Sequence, residues 1–168
     1  MLDNIDLRIL KILGADGRIS NSEISRRLQV AEGTIRQRLK KLMECGVLHT
    51  HGNIDTQHFP ELNILIIGLT LNVLPDDCLD EVIKIPNILF TLTVTGRYDI
   101  IVVAIANSRE MLSHIIEAHL QKVPGVGRTE TFIVLRNYGM FINAEKFVDM
   151  LQYMEKHKNN DKFEDGRK

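Results

Sequence analysis

Residues 20–45 read SNSEISRRLQVAEGTIRQRLKKLMEC, and this stretch decides the fold of the N-terminal part of the chain. Ser20 and Glu23 form an S-x-x-E capping box, which predicts a helix start where the Ser20 hydroxyl bonds the Glu23 amide and the Glu23 carboxylate reaches back. A tight turn at residues 29–31 then leads into a predicted helix over residues 32–45. Two short helices joined this closely are typical of a helix-turn-helix.

A further amphipathic helix is predicted ahead of this pair. Its apolar residues recur at spacings of three and four: Leu2, Ile5, Ile9, Ile12 and Leu13. Asp3 or Asn4 can cap its start, and Gly14 ends it. The chain therefore opens with the three helices that a helix-turn-helix domain requires.

The third helix has the composition of a recognition helix. Ile35, Leu39 and Leu42 form its apolar stripe, so the remaining faces are free for DNA. Thr34 and Gln37 are predicted to reach base edges, and the cationic residues to neutralise phosphates or read guanine. The candidate DNA contacts are Thr34, Arg36, Gln37, Arg38, Lys40 and Lys41. Gly33 has two interpretations, a close approach to DNA or a loose first turn, and both stay open.

The charge distribution supports this interpretation. The chain has 21 Lys and Arg against 22 Asp and Glu, a net charge of -1, which excludes a globally basic nucleic-acid binder. Residues 1–52 nevertheless hold nine basic and six acidic side chains, a net of +3, whereas residues 53–168 hold twelve and sixteen, a net of -4. Within residues 18–41 the balance is seven to two, a net of +5. A basic module before an acidic body is expected when one domain contacts phosphate, although charge alone equally allows a solvated helix face.

From residue 62 the periodicity changes, and the order of elements predicts a second domain. Four strands are expected, over residues 64–73, 88–95, 98–106 and 127–137, with helices after the first and third. The first helix is expected to turn Leu79, Val82 and Ile83 inward. This β-α-β-β-α-β order is the ferredoxin-like unit, so the fold class is α+β. Its two helices leave one sheet face open, which predicts a homodimer.

The domain boundaries follow from these patterns. We expect a helix-turn-helix at 1–52, a linker at 53–61, the ferredoxin-like domain at 62–138, and an additional helix with a polar tail at 139–168. Asn143 can cap this last helix, and Phe147, Leu151 and Met154 share one stripe of it.

Composition excludes other classes of protein. Two cysteines make no disulfide framework, and the acidic start of the chain is unlike a secretory signal, so a reducing, cytoplasmic location is expected. The apolar runs are far shorter than the roughly 18 residues of a membrane-spanning helix. No nucleophile, phosphate-loop or dinucleotide motif occurs, so neither catalytic residues nor a cofactor are expected.

Four segments together resemble the Lrp/AsnC family, the leucine- and asparagine-responsive regulators. They are LDNIDLRILKILGADGRIS at 2–20, TIRQRLKKLMECGVL at 34–48, TGRYDIIVVAI at 95–105 and VPGVGRTETFIVL at 123–135. The resemblance implies a winged helix-turn-helix joined to a ferredoxin-like effector domain. It also implies a transcriptional regulator whose dimers assemble further, to tetramers or octamers, and which commonly senses an amino acid.

The resemblance also suggests where the effector binds. In the family, the loop matching residues 96–99 helps form a site between dimers, and the last strand approaches it. The candidate effector residues are Gly96, Arg97, Tyr98, Asp99, Thr129 and Thr131. Asp99 would accept the ammonium of a zwitterion, and Arg97 would meet a carboxylate. The alternative is that this loop is only a hairpin turn.

Two departures from the family pattern stand out. Ala31 occupies the N-cap of the recognition helix, where family members often have Ser, so that helix lacks a capping bond of about 1 kcal/mol. Arg97 stands where an acidic residue is common, which would either change the effector preference or abolish the response.

Two other interpretations compete. The siroheme decarboxylases resemble this architecture and would need histidines to hold the substrate; His114 and His119 are five residues apart, so they are not expected to share a helix face. A zinc site at Cys45, His49, His51 and His58 has suitable ligand types, but their spacing matches no closed zinc pattern.

Overall fold

The computed structural model describes residues 2–164 and, for side chains, residues up to 157. The chain divides into two compact units, Met1–His51 and Gly52–Lys168. No helix in the described part of the chain is both long enough and apolar enough to cross a membrane.

The first unit has the expected three helices. They are α1 (Asn4–Ala15), α2 (Asn21–Leu28) and α3 (Glu32–Glu44). Each helix places one side chain at the centre of a small core, and Ile9, Ile24 and Ile35 are all completely buried there. The apolar periodicity therefore identified the inward faces correctly.

The helix caps differ from the expectation. The Ser20 hydroxyl accepts a hydrogen bond from the Glu23 amide at 3.2 Å, but the Glu23 carboxylate binds the guanidinium groups of Arg26 and Arg27 instead of reaching back. The reciprocal capping box lies at the start of α1, where Asp3 and Asp6 each accept from the other's backbone amide.

After α3 the chain passes through a turn at residues 45–46 and a bend at residue 47. Gly46 turns it with a φ of 67°, and the described residues from there to His51 form no strand. The wing that would follow the recognition helix has no paired strand in this part of the structure.

The second unit contains a four-stranded antiparallel sheet. Its strands are β2 (Asn63–Leu71), β3 (Ile88–Thr93), β4 (Ile100–Ala106) and β5 (Val126–Ile133), in the spatial order β3-β4-β2-β5. This order confirms the ferredoxin-like topology. Three of the four strands end earlier than predicted, most clearly β5, which stops four residues before the expected end at residue 137, whereas β4 ends at residue 106 as predicted.

The helices of this unit are less regular than the sequence suggests. The first is a single turn, α4 (Leu79–Val82), and Ile83, which was expected to face inward, is half exposed. The second, α5 (Arg109–Ser113), continues as a π-helix at His114–His119 and a 3-10 turn at Leu120–Lys122. Because a π-helix closes i to i+5 bonds, residues five apart meet on one face there.

The segment expected to be a linker is part of the second unit. Residues Asn53–Asp55 form β1, which pairs antiparallel with β6 (Phe141–Asn143). The helix α6 (Ala144–Glu164) follows directly. Its buried residues are Phe147, Met150 and Met154, and the Phe147 ring lies 4.7 Å from that of Phe59. The additional helix therefore completes the core of its own unit.

One face of the sheet is open. Leu65, Ile67 and Leu69 of β2 are fully buried toward the helices, whereas the alternate residue Ile66 points to the opposite face. The register pairs Ile66 with Val103 and Phe132, and paired residues share a face. Four large apolar side chains on this face are about 37–51% exposed: Ile66, Phe90, Leu92 and Phe132. We call this surface the open face.

Candidate functional site

The turn between α2 and α3 sets the direction of α3. Gln29 adopts the left-handed conformation with a φ of 55° and ends α2. The Ser25 hydroxyl donates to the Val30 carbonyl at 2.6 Å, and the Val30 amide donates back to the Ser25 carbonyl at 3.2 Å. This pair of bonds holds the turn closed.

The outward face of α3 lies opposite its buried stripe. At 100° per residue, Gly33, Gln37 and Lys40 fall on the side away from Ile35 and Leu39, and all three are exposed. Thr34, Arg36 and Lys41 flank them and are also exposed. The outward face thus offers donors, acceptors and cations within three turns of helix, with nothing from this unit covering it.

Two of the cations on α3 have a local acidic neighbour. Arg36 makes an ion pair with Glu32 at 3.0 Å, and Lys40 contacts Glu44 at 3.7 Å. These pairs are solvent exposed and contribute little to stability, so they can be exchanged for phosphate at small cost. A side chain added at Gly33 would meet no atom within 4 Å, so packing within the protein does not require glycine at this position.

Arg38 differs from the other candidate DNA contacts. Its guanidinium binds the carboxylates of Asp3 and, at 2.7 Å, Asp6, which form the capping box of α1. These hydrogen bonds raise the pKa of Arg38 and contribute to lowering the pKa of both carboxyl groups. Arg38 therefore ties the recognition helix to α1, and its geometry gives no support to the DNA contact expected from the sequence.

The cations on α2 are also partly neutralised. Glu23 accepts from Arg26 and Arg27 at 2.8 Å and 2.7 Å, and these hydrogen bonds lower its pKa to about 2. Glu23 is thus charged at neutral pH, and the three side chains together carry one net positive charge.

The loop between β3 and β4 contains four of the six candidate effector residues, Gly96, Arg97, Tyr98 and Asp99. The Asp99 carboxylate accepts a hydrogen bond from the Leu71 amide at 2.8 Å, and the Arg97 guanidinium lies 5.5 Å from the centre of the Tyr98 ring. Gly96 has a φ of 134°, a conformation that favours glycine, and a side chain there would meet nothing within 4 Å.

The Tyr98 ring packs against Gly68, a residue that the sequence did not single out. A Cβ atom on Gly68 would lie 2.6 Å from the Tyr98 ring, so the ring covers Gly68 on the open face. The Tyr98 hydroxyl is buried without a well-formed hydrogen bond. The adjacent Glu130 carboxylate and burial raise the pKa of Tyr98 above its ordinary value.

On β5, the side chain of Glu130 lies beside this loop, and those of its two neighbouring threonines do not. Arg97 donates to the Glu130 carboxylate at 2.8 Å, and Glu130 pairs with Gly68 on the open face. Thr129 and Thr131 pair with the fully buried Leu69 and Ile67, so they lie on the helix-facing side of the sheet. Within Thr129-Glu130-Thr131, alternate residues point to opposite faces of the sheet, and the sequence showed this alternation. Which face each residue takes depends on the register of β5 with β2.

The histidines of the second unit form a cluster that the sequence did not suggest. The π-helix places the rings of His114 and His119 4.8 Å apart, so the expectation that they do not share a face was wrong. From α6, His157 lies 5.4 Å from His114, and the Tyr153 hydroxyl is 3.4 Å from the His119 Nε2. Burial, followed by the neighbouring His114, His157 and Lys122, lowers the pKa of His119.

The histidines near the end of the first unit have other neighbours. His49 and His51 stack with their rings 5.8 Å apart, and the His49 Nε2 bonds the Gly46 carbonyl. Within residues 2–157, no group of three or more His, Cys, Asp or Glu side chains is arranged to hold a metal ion.

Comparison with protein families identifies both units. Residues 2–48 match the family described as winged helix-turn-helix DNA-binding, and residues 65–140 match the Lrp/AsnC ligand binding domain. The HTH-type transcriptional regulator Ptr1 of Methanocaldococcus jannaschii is 33% identical over 82% of this chain and 95% of its own length. The regulator FL11 of Pyrococcus abyssi is 32% identical over 82% of this chain and 91% of its own.

Solved structures share the fold. Escherichia coli AsnC superimposes with a TM-score of 0.72 and 24% identity, covering 83% of this chain and 96% of AsnC. A complex of the regulator NMB0573 from Neisseria meningitidis with L-Met gives a TM-score of 0.69 and 24% identity, over 83% of this chain and 94% of that one.

Proposed function

Because the chain belongs to the Lrp/AsnC family of transcriptional regulators, we propose that the outward face of α3 reads operator DNA and that an amino acid bound beside residues 97–99 controls it. The protein is a DNA-binding regulator with a ligand-binding domain, and it is not an enzyme. A cytoplasmic location, where the DNA is accessible, is part of the proposal.

The observation that carries the DNA assignment is the exposed outward face of α3. Gln37 lies at its centre with an exposed side-chain amide whose oxygen and nitrogen can pair with adenine, and Lys40 and Lys41 lie beside it for phosphate. Arg38 is left out of the contact set, since its ion pairs with Asp3 and Asp6 already occupy it. Its role is to position α3.

Selection of bound fragments from random duplex DNA tests this assignment. Gln37→Ala should change the selected sequence, whereas Lys41→Ala should weaken every sequence alike and reduce the salt slope by about 1. Lys11→Ala, which removes an exposed lysine from α1, serves as the control and should bind as the parent does. If Lys41→Ala and Lys11→Ala behave identically, α3 is not the DNA-contacting helix.

The proposed effector site consists of Arg97, Asp99 and Glu130 around the Tyr98 ring. Asp99 uses one carboxylate oxygen for Leu71 and has another to accept an ammonium group, and Arg97 can exchange Glu130 for the carboxylate of the ligand. Thr129 and Thr131 lie on the opposite side of β5 and are omitted from the site. A neighbouring dimer that approaches the loop at residues 96–99 would enclose the ligand.

Calorimetry of the full chain against the twenty amino acids tests this site. Asp99→Asn retains an oxygen that can accept from Leu71 but removes the charge, so it should weaken binding by about tenfold or more. Undiminished binding by this variant would exclude Asp99 as the ammonium acceptor.

Assembly through the open face is the third part of the proposal. Ile66, Phe90, Leu92 and Phe132 form an apolar surface that a homodimer would bury, and dimers could assemble further into tetramers or octamers. Phe132→Glu should shift the protein toward monomer in sedimentation at micromolar concentration. Leu74→Glu changes an exposed leucine outside the sheet and is the control; equal sedimentation of both variants would exclude the open face.

The decarboxylase interpretation is not favoured. The relatives with the highest similarity reported above are named as transcriptional regulators. Tyr153 and His157 from α6 also contact the histidine pair that such an enzyme would need for its substrate.

A further inference from the structure

A cavity of about 330 Å³ lies between α6 and the turn that leads into β3. The turn contributes the aliphatic side chains of Ile83, Ile85 and Ile88, and α6 contributes Lys146 and Asp149. The volume is at the lower end of the range for small-molecule sites, about 300–1,000 Å³. The cavity belongs entirely to the second unit, and it is separate from the loop at residues 97–99.

Asn87 lines this cavity, and its side-chain amide is buried without a hydrogen bond. The residue is 4% exposed, and neither its Oδ1 nor its Nδ2 has a hydrogen-bond partner. Its φ of 66° explains why a residue tolerant of the left-handed conformation stands in the turn, but not why the amide is buried unpaired. An unpaired buried amide costs free energy that a polar ligand group would recover.

The charged residues of the cavity are also unpaired. The Lys146 ammonium is partly buried and donates to the Leu89 carbonyl at 2.8 Å, which leaves two of its hydrogens free. Burial lowers the pKa of Lys146. Asp149 is three residues further along the same helix, yet among the described side chains the two form no ion pair with each other or with any other residue.

We propose that this cavity binds a small aliphatic zwitterion, a free amino acid, as a second ligand site. The carboxylate of the ligand contacts Lys146 and the Asn87 Nδ2. Its ammonium contacts Asp149, and its side chain packs against Ile83 and Ile85. Both amide atoms of Asn87 are buried, so this contact requires the Asn87 side chain to rotate toward the cavity when the ligand binds.

The cavity is lined partly by α6, which lies outside the segment that matches the ligand-binding domain. The family match to the ligand-binding domain ends at residue 140, and α6 begins at Ala144. Four of the nine residues that line the cavity therefore come from a segment outside that match. Binding here would stabilise the packing of α6 against the β3 turn, because the ligand contacts both.

Methyl NMR of the full chain distinguishes this cavity from the proposed effector site. L-Leucine, L-isoleucine, L-valine and L-methionine are titrated to millimolar concentration while the isoleucine and methionine methyl signals are recorded. We expect at least one of them to shift the signals of Ile83, Ile85 and Met150, which line the cavity. Shifts confined to Ile66 and Ile101, on the open face, would support the effector site and overturn this proposal, as would no shift at all.

Variants test the contacts one by one. Lys146→Gln and Asp149→Asn should each weaken the cavity shifts by about tenfold, while Lys156→Gln, on the exposed side of α6, should leave them unchanged. Asn87→Gly removes the amide and retains a residue that accepts the positive φ, so a folded protein is expected. Asp99→Asn should leave the cavity shifts intact. Cavity shifts that persist in both Lys146→Gln and Asn87→Gly would refute the assignment.

Analogues test the charge pattern. For L-leucine, 4-methylpentanoate lacks the ammonium and 3-methylbutylamine lacks the carboxylate. Each should bind at least about tenfold more weakly than the amino acid if both charges are recognised. Equal binding by 4-methylpentanoate would show that the site takes a simple carboxylate and would overturn the zwitterion assignment.

Discussion

Replacement of Gly33 by alanine should separate the stability of α3 from its binding of DNA. Gly33 is the second residue of α3, and a Cβ atom there meets nothing within 4 Å, so the methyl group causes no clash within the protein. Glycine is about 1 kcal/mol less favourable than alanine in a helix interior, and less so near its start. Gly33→Ala should therefore stabilise α3 by about 0.5–1 kcal/mol.

Hydrogen exchange of the α3 amides measures this gain locally in the full chain. A stabilisation of about 0.5–1 kcal/mol corresponds to about two- to fivefold slower exchange if these amides exchange by opening of the unit. DNA affinity should move the other way. Gly33 lies on the outward face beside Gln37, so a methyl group prevents close approach of the helix backbone to the groove. We expect a loss of about tenfold or more, or about 1.4 kcal/mol.

Gly14→Ala is the matched control, because Gly14 is also helical and also has open space around it, but it lies on α1. It should slow exchange in α1 without changing DNA affinity. If Gly33→Ala stabilises α3 and still binds DNA as the parent does, glycine is not there to admit DNA, and its presence reflects only a loose first turn.

Three further predictions concern the caps, the core and the pH dependence. Ala31 makes no capping bond, so Ala31→Ser should stabilise α3 by about 1 kcal/mol, seen as slower amide exchange; unchanged exchange would contradict the cap assignment. Phe147→Ala should lower the free energy of unfolding of the second unit by about 3–5 kcal/mol in urea, whereas a loss near zero would mean that α6 is not part of the core. The folded state lowers the pKa of His119 below 6.5, so the unfolded chain binds more protons at pH values between the two pKa values. The stability that His119 contributes is therefore fully present above about pH 6.5 and is lost as the pH falls through the pKa of the folded state. His119→Gln should flatten this dependence in unfolding titrations, and the exposed His58→Gln should not; equal curves for the two variants would refute it.

The helix-turn-helix was accessible from sequence because its signals are local. The spacing of Ile24 and Leu28, the serine before α2 and the turn at Gln29 all act within a few residues. Capping partners were less accessible. The Glu23 carboxylate could accept from the Ser20 backbone amide or from the side chains of Arg26 and Arg27. It binds the two arginines, because charge-assisted hydrogen bonds are stronger.

The effector loop was proposed by resemblance, and on β5 the structure places Glu130, not the two expected threonines, beside it. Thr129, Glu130 and Thr131 alternate in direction, so a shift of one residue in register exchanges the two faces. The pairing of Glu130 with Gly68 places the carboxylate beside Arg97 and turns both threonines to the helices. No local signal in the sequence of β5 determines which of its residues face the helices.

The sequence by itself determined the three helices of the first unit with their inward faces, and the order of the four strands of the sheet, since periodicity, caps and turn residues act between near neighbours. Only the tertiary structure decided the partners of residues far apart in the chain. Arg38 reaches Asp3 across 35 residues, and Asn53 pairs with Asn143, which turned an expected linker into a strand. The π-helix that joins His114 to His119 likewise occurs where α5 packs into the core, around the fully buried Leu120 and Ile115. Such contacts depend on how the whole chain packs, because the free energy that selects them comes from burial and pairing between segments that no local pattern connects.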